Sequence, residues 1–308
     1  MTRAPSTART AIAVWRMSRP SQLLLIVAVY ALGVAIAVGL GTPVDTLAVV
    51  VGLVALLPVA TSVHFANEYA DYETDRLTAE SATRTPFSGG SGALHAAGLP
   101  RSMARDATLL SGLLGGGLTV GLALTGRLSA GAAAALALIA LLGWGYSLPP
   151  MQFSRRGLGE VDNALLGGLL LPHYGAATLA PPSLAVCFAV APFTLLVFAN
   201  LLATQWPDRW ADAFTGKYTL PTRWSPRRLR RVHLLTVVAA FASLVALTGP
   251  VLPRTVTLAS LVAVPFAVWG VATFTRDEQP FPTVAAMVVM AVAQLVAWAV
   301  VADLLALP

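Results

Sequence analysis

Two short acidic segments contain the residues best suited to chemistry in this sequence. Asn67, Asp71 and Asp75 follow one another at intervals of four residues, and Asp208 and Asp212 do the same later in the chain. Because residues four apart lie on one face of a helix, each segment is expected to present its side chains as one stripe. Carboxylates on one stripe repel each other, so beside a membrane they require a neutralising cation and usually mark a functional site.

The two acidic segments are spaced so that they can meet. Asp71 and Asp208 are separated by the same number of residues as Asp75 and Asp212, and four long apolar segments lie between them. An even number of membrane crossings returns a chain to the same side. We therefore predict a tandem repeat of four-helix units, with both stripes facing one central cavity. Facing carboxylates suit Mg²⁺, which prefers oxygen ligands and keeps several waters or substrate phosphates.

Basic and polar residues near the stripes extend this prediction. Arg84, Lys217 and Arg223 lie in the loops next to the acidic segments, where they could bind phosphate oxygens directly. Thr204 and Asn200 continue the second stripe into the membrane and are candidate substrate contacts. The plainer alternative is that both segments are solvated acidic helix ends. The doubling, the matched spacing and the common side favour a site.

Long apolar segments surround these residues in the sequence. Of 308 residues, 56% are hydrophobic and 11% are charged. About 18 to 20 consecutive apolar residues can cross the hydrocarbon layer as a helix, which satisfies its own backbone hydrogen bonds. The sequence therefore predicts an all-α, multi-pass transmembrane helical bundle that forms a single domain over residues 1–308. About nine spans are expected: 20–40, 46–67, 107–125, 129–146, 161–181, 185–206, 232–249, 255–274 and 282–305.

The distribution of basic residues predicts the orientation of this bundle. If the N-terminus is cytoplasmic, all but Arg127 and Arg254 of the 20 Lys and Arg residues fall on the cytoplasmic side. The positive-inside rule thus places the N-terminus and the site loops in the cytoplasm and the C-terminus outside the cell membrane. The net charge of +6 then follows from topology. No basic helix with interleaved aromatic residues stands clear of the membrane, so we expect no nucleic-acid binding.

The acidic segments resemble the two aspartate-rich motifs of the UbiA superfamily of intramembrane prenyltransferases. Asn67-x-x-x-Asp71-x-x-x-Asp75 is similar to the first motif and Asp208-x-x-x-Asp212 to the second. Four further stretches within residues 15–235 resemble that family: Arg84-Thr-Pro-Phe-Ser-Gly-Gly-Ser-Gly, Tyr146-Ser147-Leu-Pro-Pro, Arg156-Gly-Leu-Gly-Glu160 and Gly216-Lys217-Tyr-Thr-Leu. Each stretch alone is weakly specific, but together they are specific.

The resemblance implies an enzyme that transfers a prenyl group from a prenyl diphosphate to an electron-rich aromatic acceptor. The Gly-Gly-Ser-Gly stretch is most similar to the 1,4-dihydroxy-2-naphthoate prenyltransferases of menaquinone synthesis. The family resemblance implies that Mg²⁺ is bound by Asn67, Asp71, Asp75, Asp208 and Asp212. It also implies that the four aspartates are catalytic. It also implies that the diphosphate is bound by Arg84, Tyr146, Ser147, Lys217 and Arg223.

Two histidines near these motifs each have two interpretations, and one threonine departs from the pattern of the family. His173, inside the fifth predicted span, could contact the acceptor or could form a structural hydrogen bond between helices. His64, one turn before Asn67, could support the site or could simply pack. Thr204 stands where the family usually has Asn, so we expect the second metal site to bind its ion more loosely or through water.

Two other classes of function are compatible with acidic residues in a membrane protein. A related enzyme could cyclise or lengthen an isoprenoid without an aromatic acceptor, as terpene cyclases and carotenoid elongases do. A cation-coupled transporter would instead place its carboxylates near the bilayer midplane, between broken helices. The acidic residues here lie at the ends of spans, beside basic loops, which disfavours the transporter.

Overall fold

The computed structural model describes residues 7–79, 85–87 and 89–304. The described α-helices are α1 (Thr7–Met17), α2 (Pro20–Gly39), α3 (Thr46–Ala70), α4 (Tyr72–Ala79), α5 (Ala93–Ala97), α6 (Ser102–Leu124), α7 (Ala130–Ser147), α8 (Gly159–Asn163), α9 (Leu171–Ala177), α10 (Leu184–Gln205), α11 (Arg209–Phe214), α12 (Leu220–Arg223), α13 (Pro226–Ala246), α14 (Arg254–Ser260), α15 (Val264–Thr273) and α16 (Phe281–Val301). In these ranges the chain forms two isolated β-bridges and no strand. The predicted all-α fold is therefore confirmed.

Among the described residues, eight helices are long and apolar enough to cross a membrane. They are α2, α3, α6, α7, α10, α13, the helix Arg254–Thr273 that contains α14 and α15, and α16. The fifth predicted span, 161–181, is built differently. There α8, a π-helical segment (Ala164–Leu170) and α9 follow one another without a break, so no single helix in this region has the length of a span. The prediction of about nine spans is thus approximate.

Polar side chains cap the starts of some of the long helices, including α3 and α7. The Asp45 carboxylate accepts a hydrogen bond from the backbone N–H of Ala48 at the start of α3, and the Ser129 hydroxyl accepts one from Ala132 at the start of α7. Such caps satisfy backbone donors that have no partner within the helix. Asp45 therefore has a structural role, which separates it from the acidic segments at the opposite ends of the spans.

Close backbone contact joins α2, from the first half of the chain, to α9, from the second. Gly33 lies against the carbonyl of Pro172, and Gly175 lies against the carbonyl of Tyr30, so a methyl group at either glycine would overlap the facing backbone. Small residues at helix crossings allow this approach in membranes, where van der Waals packing drives association. The Tyr174 hydroxyl then donates to the carbonyl of Gly52 on α3 at 2.7 Å.

The lipid-facing surface carries apolar side chains and a groove away from the acidic segments. Leu110, Leu113 and Leu124 of α6 are largely exposed, as expected for a helix in contact with acyl chains. An apolar groove of about 620 Å³ lies between α14 and α16, lined by residues such as Val262, Val292 and Val296. Its described lining contains no acidic or basic side chain, so the groove is separate from the chemistry.

The two acidic segments are positioned by a similar break at the end of a long helix. α3 ends at Ala70 and α4 follows it, with the backbone N–H groups of Asp71 and Asp75 still bonding four residues back. α10 ends at Gln205, and α11 begins only at Arg209 because Pro207 has no N–H to continue the helix. The first predicted stripe is thus nearly continuous. The prediction of one continuous second stripe from Asn200 to Asp212 is wrong.

The orientation of this bundle in the membrane can be tested with reporters. A reporter fused after Pro308 is expected to appear outside the cell and one inserted at Gly216 inside, because basic residues segregate to one side. Protease protection or a periplasmic activity reporter would measure both positions. Finding both on the same side would contradict the predicted topology.

Candidate active site

Lys217 joins the two acidic segments at the centre of the site. Its Nζ lies 2.9 Å from Asp71 Oδ2 and 3.6 Å from Asp212 Oδ1. All three side chains are buried, Asp212 to 1% exposure. Since Asp71 follows α3 and Asp212 belongs to α11, this ion pair brings together two segments that are far apart in the chain. The predicted meeting of the two segments is what the structure shows.

Asn67 and Ser147 buttress the first aspartate. The Asn67 amide nitrogen donates to Asp71 Oδ2 at 2.9 Å and to the Ser147 hydroxyl at 3.2 Å. The Asn67 carbonyl oxygen accepts from the Arg19 guanidinium at 2.8 Å. In this arrangement Asn67 orients the Asp71 carboxylate, and Ser147 is held at the end of α7, facing the site.

Sequence reasoning missed an ion pair next to Asn67. Arg19 lies 2.6 Å from Glu68 Oε1, and Glu68 is 3% exposed. Nearby, His64 Nδ1 is 2.7 Å from the carbonyl oxygen of Ser18, so it fastens the start of α2 to α3. Among the described residues the His64 ring therefore hydrogen-bonds the Ser18 carbonyl, which supports the Arg19 region. The sequence does contain a signal for this pair: an acidic residue at the end of one span and a basic residue just before the first span.

A glycine loop holds one carboxylate from each acidic segment. The backbone N–H of Gly89 donates to Asp208 Oδ2 at 2.6 Å, and that of Gly90 donates to Asp75 Oδ1 at 2.8 Å. Ser91 adds its N–H to Glu68 Oε1 at 2.8 Å and its hydroxyl to Oε2 at 2.7 Å. These are backbone contacts of the Gly-Gly-Ser stretch. The predicted diphosphate ligand Arg84, in the same loop, lies outside the described residues.

Burial and mutual repulsion disfavour the charged form of the site's carboxylates. Burial and the nearby charges of Asp71 and Glu68 raise the pKa of Asp75 well above its usual range. Burial also raises the pKa of Asp212 to about 7, although Lys217 opposes this effect. Burial would lower the pKa of Lys217, but Asp212 and Asp71 together raise it well above its ordinary value. Lys217 and Arg19 thus lie among several buried carboxylates of the described residues, and a bound cation would stabilise these carboxylates further.

The carboxylate oxygens of the two acidic segments are suited to a hard cation. Asp212 Oδ2 is buried without a hydrogen-bond partner in the described part of the chain, and Oδ1 faces the Lys217 ammonium at 3.6 Å. Within the described ranges, no three His, Cys, Asp or Glu side chains form a closed metal cage. Mg²⁺ does not need one, because it is usually bound by one or two carboxylates together with waters and substrate phosphates.

The remaining predicted diphosphate ligands occupy two different positions. The Tyr146 hydroxyl accepts a hydrogen bond from Gln205 Nε2 at 3.3 Å, on the inner side of the site. Arg223 is exposed and donates to the carbonyl oxygen of Arg156 at 3.1 Å. The structure therefore brings Tyr146 toward the cluster and leaves Arg223 at the rim.

The candidate substrate contacts on α9 and α10 are also separated. Thr204 donates its hydroxyl back to the carbonyl oxygen of Leu201 at 3.3 Å, within its own helix. Asn200 Oδ1 is buried without a hydrogen-bond partner among the described residues. His173 Nδ1 lies 3.7 Å from the Cys187 sulfur, which is the inter-helix contact that the structural interpretation predicts.

The fold and the site define a polytopic membrane protein with buried, paired acidic segments at one end of its spans. The chain belongs to the UbiA prenyltransferase family, whose sequence profile matches residues 24–291. As a member of that family it is a prenyltransferase. A search of curated proteins finds no significant match.

Solved structures support the fold at low sequence identity. A UbiA homologue from Archaeoglobus fulgidus bound to DMAPP and Mg²⁺ has a TM-score of 0.65 at 14% identity, covering 94% of this chain and 99% of its own. The apo UbiA homologue from Aeropyrum pernix K1 has a TM-score of 0.66 at 16% identity, covering 90% and 98%. A digeranylgeranylglyceryl phosphate synthase has a TM-score of 0.65 at 13% identity, covering 94% and 98%. At these identities the likeness concerns the fold.

Proposed function

We propose that the protein transfers a prenyl group from an isoprenyl diphosphate to an electron-rich aromatic acceptor, with Mg²⁺ as cofactor. The acceptor class that we propose is 1,4-dihydroxy-2-naphthoate, as in menaquinone synthesis. The observation that carries the proposal is Lys217, held between Asp71 and Asp212 at 2.9 and 3.6 Å. A buried cation between two acidic segments would bind the oxygens of a diphosphate held there together with Mg²⁺.

Mg²⁺ fits the oxygens that the site offers. Asp212 Oδ2 is buried without a hydrogen-bond partner among the described residues, and Asp71 and Asp75 are buried on the facing segment. We propose that these aspartates and Asp208 hold the ion, with Asn67 orienting the first pair. When bound, Mg²⁺ would supply Lewis-acid stabilisation of the leaving diphosphate. A related protein from Archaeoglobus fulgidus was solved with GPP and Mg²⁺.

The protein's own groups would stabilise the charge that develops as the allylic carbon–oxygen bond breaks. Lys217 would bind diphosphate oxygens, and Tyr146 and Ser147 would donate hydrogen bonds from the end of α7. Groups that are fixed before the reaction provide most of this electrostatic stabilisation. Ser147 is 2% exposed, and its hydroxyl is held by Asn67, so such a group is already in place.

The apolar helices behind the site would protect the allylic cation from water. Leu196, Leu202 and Ala203 of α10 are buried on the membrane side of the acidic cluster. An apolar environment excludes water, and it also suits a long isoprenoid tail. The aromatic acceptor rests on the resemblance of the Gly-Gly-Ser-Gly stretch. A prenyl diphosphate without an aromatic partner would make the protein a terpene cyclase or an elongating enzyme.

Mass spectrometry of reaction products tests the proposal. The purified full-length protein would be given dimethylallyl, geranyl or geranylgeranyl diphosphate with Mg²⁺, with and without 1,4-dihydroxy-2-naphthoate. A prenylated, decarboxylated naphthoquinol that forms only when Mg²⁺ and the naphthoate are both present is the expected result. An isoprenoid product that forms equally well without the aromatic compound would contradict the proposed acceptor.

A further inference from the structure

Glu160 of α8 is a buried acid outside the aspartate segments. Its side chain is fully buried, at 0% exposure. Its Oε1 accepts a hydrogen bond from the backbone N–H of Leu220 at 2.6 Å. Its Oε2 is buried with no hydrogen-bond partner among the described residues. Leaving a buried acceptor without a donor is costly, so such an oxygen marks a place where a ligand can supply the donor.

Two more polar groups lie at the same place. The ring of Tyr146 packs against the backbone beside Glu160, since a Cβ added to Gly159 would lie 3.0 Å from Tyr146 Cε2. The Tyr146 hydroxyl accepts from Gln205 Nε2 at 3.3 Å. The other amide atom, Gln205 Oε1, is buried without a partner among the described residues. Tyr146 of α7 thus neighbours both the backbone beside Glu160 of α8 and the Gln205 side chain of α10, and we refer to these three residues as the polar cluster.

The unpartnered atoms of the polar cluster favour a ligand with hydroxyl groups. Its unpartnered atoms, Glu160 Oε2 and Gln205 Oε1, are both hydrogen-bond acceptors. A diphosphate offers acceptor oxygens only, so these two oxygens would repel it, while the Tyr146 hydroxyl proton remains available to it. The polar cluster nevertheless lies near the proposed diphosphate ligand Lys217. Glu160 binds the backbone N–H of Leu220, and Leu220 follows Lys217 closely in the chain. A hydroxylated acceptor beside the allylic carbon would satisfy both oxygens.

We propose that Glu160 Oε2 and Gln205 Oε1 bind a hydroxyl group of the aromatic acceptor and that Glu160 takes its proton. This inference rests on the proposed function and extends it. The acceptor O–H bond breaks, and its proton passes to Glu160 Oε2. The phenolate oxygen increases the electron density on the ring, and a ring carbon forms a bond to the allylic carbon. The carbon–oxygen bond of the donor breaks, and its electron pair leaves with the diphosphate.

The same proton can return at the end of the reaction. The alkylated ring loses carbon dioxide, or loses a ring proton to the released diphosphate, and the electron pair restores the aromatic system. The resulting phenolate oxygen regains its proton from Glu160. Glu160 thus ends the reaction ionised, as it began, without consuming another reagent.

A purely structural role is the alternative, in which Glu160 only fixes the start of α12 through Leu220. Glu160→Gln separates the two roles. A glutamine carbonyl oxygen still accepts the Leu220 N–H, but an amide cannot take a proton and cannot bind a hydroxyl as a charged acceptor. Tyr146, Lys217 and Arg223, the titratable groups that face Glu160, stay unchanged in this variant.

Binding of two probes tests the proposal without turnover. The dissociation constants of 1-hydroxy-2-naphthoate and 1-methoxy-2-naphthoate, which differ by replacement of one hydroxyl hydrogen, would be measured on the full-length protein by equilibrium dialysis. The wild type is expected to bind the hydroxy compound about tenfold more tightly, because a hydrogen bond to a charged group is lost on methylation. Glu160→Gln is expected to bind both within about twofold. Asp162→Asn, a change at another buried acid of α8, is the control that should keep the preference.

Equal binding of the two probes by the wild type, or a tenfold preference that persists in Glu160→Gln, would overturn the proposal. The proposed function would fail separately. If the wild type makes no prenylated aromatic product in the mass-spectrometric assay, the aromatic acceptor itself is wrong. If it makes that product while the preference persists in Glu160→Gln, only the role of Glu160 is wrong.

Discussion

Replacing Asp208 or Asp71 by asparagine is expected to reduce prenyl transfer by a factor on the order of 10² or more. A single group that stabilises developing charge in an active site typically contributes about 2.7–4 kcal/mol to catalysis. Asparagine keeps the size of the side chain but removes the charge that we assign to Mg²⁺ binding. Initial rates measured with saturating prenyl diphosphate over a range of Mg²⁺ concentrations would show the effect.

A surface aspartate on the same side of the bundle provides the control. Asp106 of α6 is exposed and pairs with Arg105 at 2.8 Å. Asp106→Asn is therefore expected to leave the rate within about twofold, since exposed ion pairs contribute little, about 0–1 kcal/mol. Unaltered turnover in Asp208→Asn would mean that the second acidic segment takes no part in catalysis.

The second large effect is expected for Gly90→Ala. A Cβ at this position would overlap the Asp75 carboxylate, whose Oδ1 accepts the Gly90 N–H at 2.8 Å. The Gly90 backbone does not adopt a left-handed conformation, so alanine causes no backbone strain and the effect comes from the carboxylate alone. Displacing Asp75 should lower the rate on the order of 10²-fold and raise the Mg²⁺ concentration for half-maximal activity.

Gly117 of α6 is the matched control, because a Cβ there meets nothing within 4 Å. Gly117→Ala is expected to keep full activity and to be neutral or slightly stabilising, as alanine is the better helix former. Melting temperatures of both variants would show that they are folded. Normal Mg²⁺ dependence in Gly90→Ala would mean that the glycine loop does not position Asp75.

Sequence reasoning identified the parts of the site that depend on residue type and spacing. The intervals between Asn67, Asp71 and Asp75 predicted one helical face, and the structure keeps that face nearly continuous. The long apolar segments predicted the bundle, because a membrane leaves a backbone few other options. Lys217 was predicted as a diphosphate ligand from its loop, and it lies between the two segments.

Other parts of the site depend on contacts that spacing does not encode. Gly89 and Gly90 bind Asp208 and Asp75 through their backbone N–H groups. Every residue except proline has such a group, so these two contacts cannot be predicted from residue type. Arg19 and Glu68 meet across the start of α2 and the end of α3. The spacing predicted one helical stripe through the second acidic segment. Pro207 instead interrupts the helix between α10 and α11.

Calorimetric titration measures whether both acidic segments hold one metal-bound diphosphate. A geranyl diphosphate analogue with sulfur in place of the bridging oxygen would be titrated into the full-length protein, with Mg²⁺ or with a chelator. We expect saturable binding in Mg²⁺ that is lost with the chelator and is weakened on the order of tenfold or more in both Asp71→Asn and Asp208→Asn. Binding that is equally tight with the chelator, or that either variant leaves unchanged, would contradict a shared metal–diphosphate site.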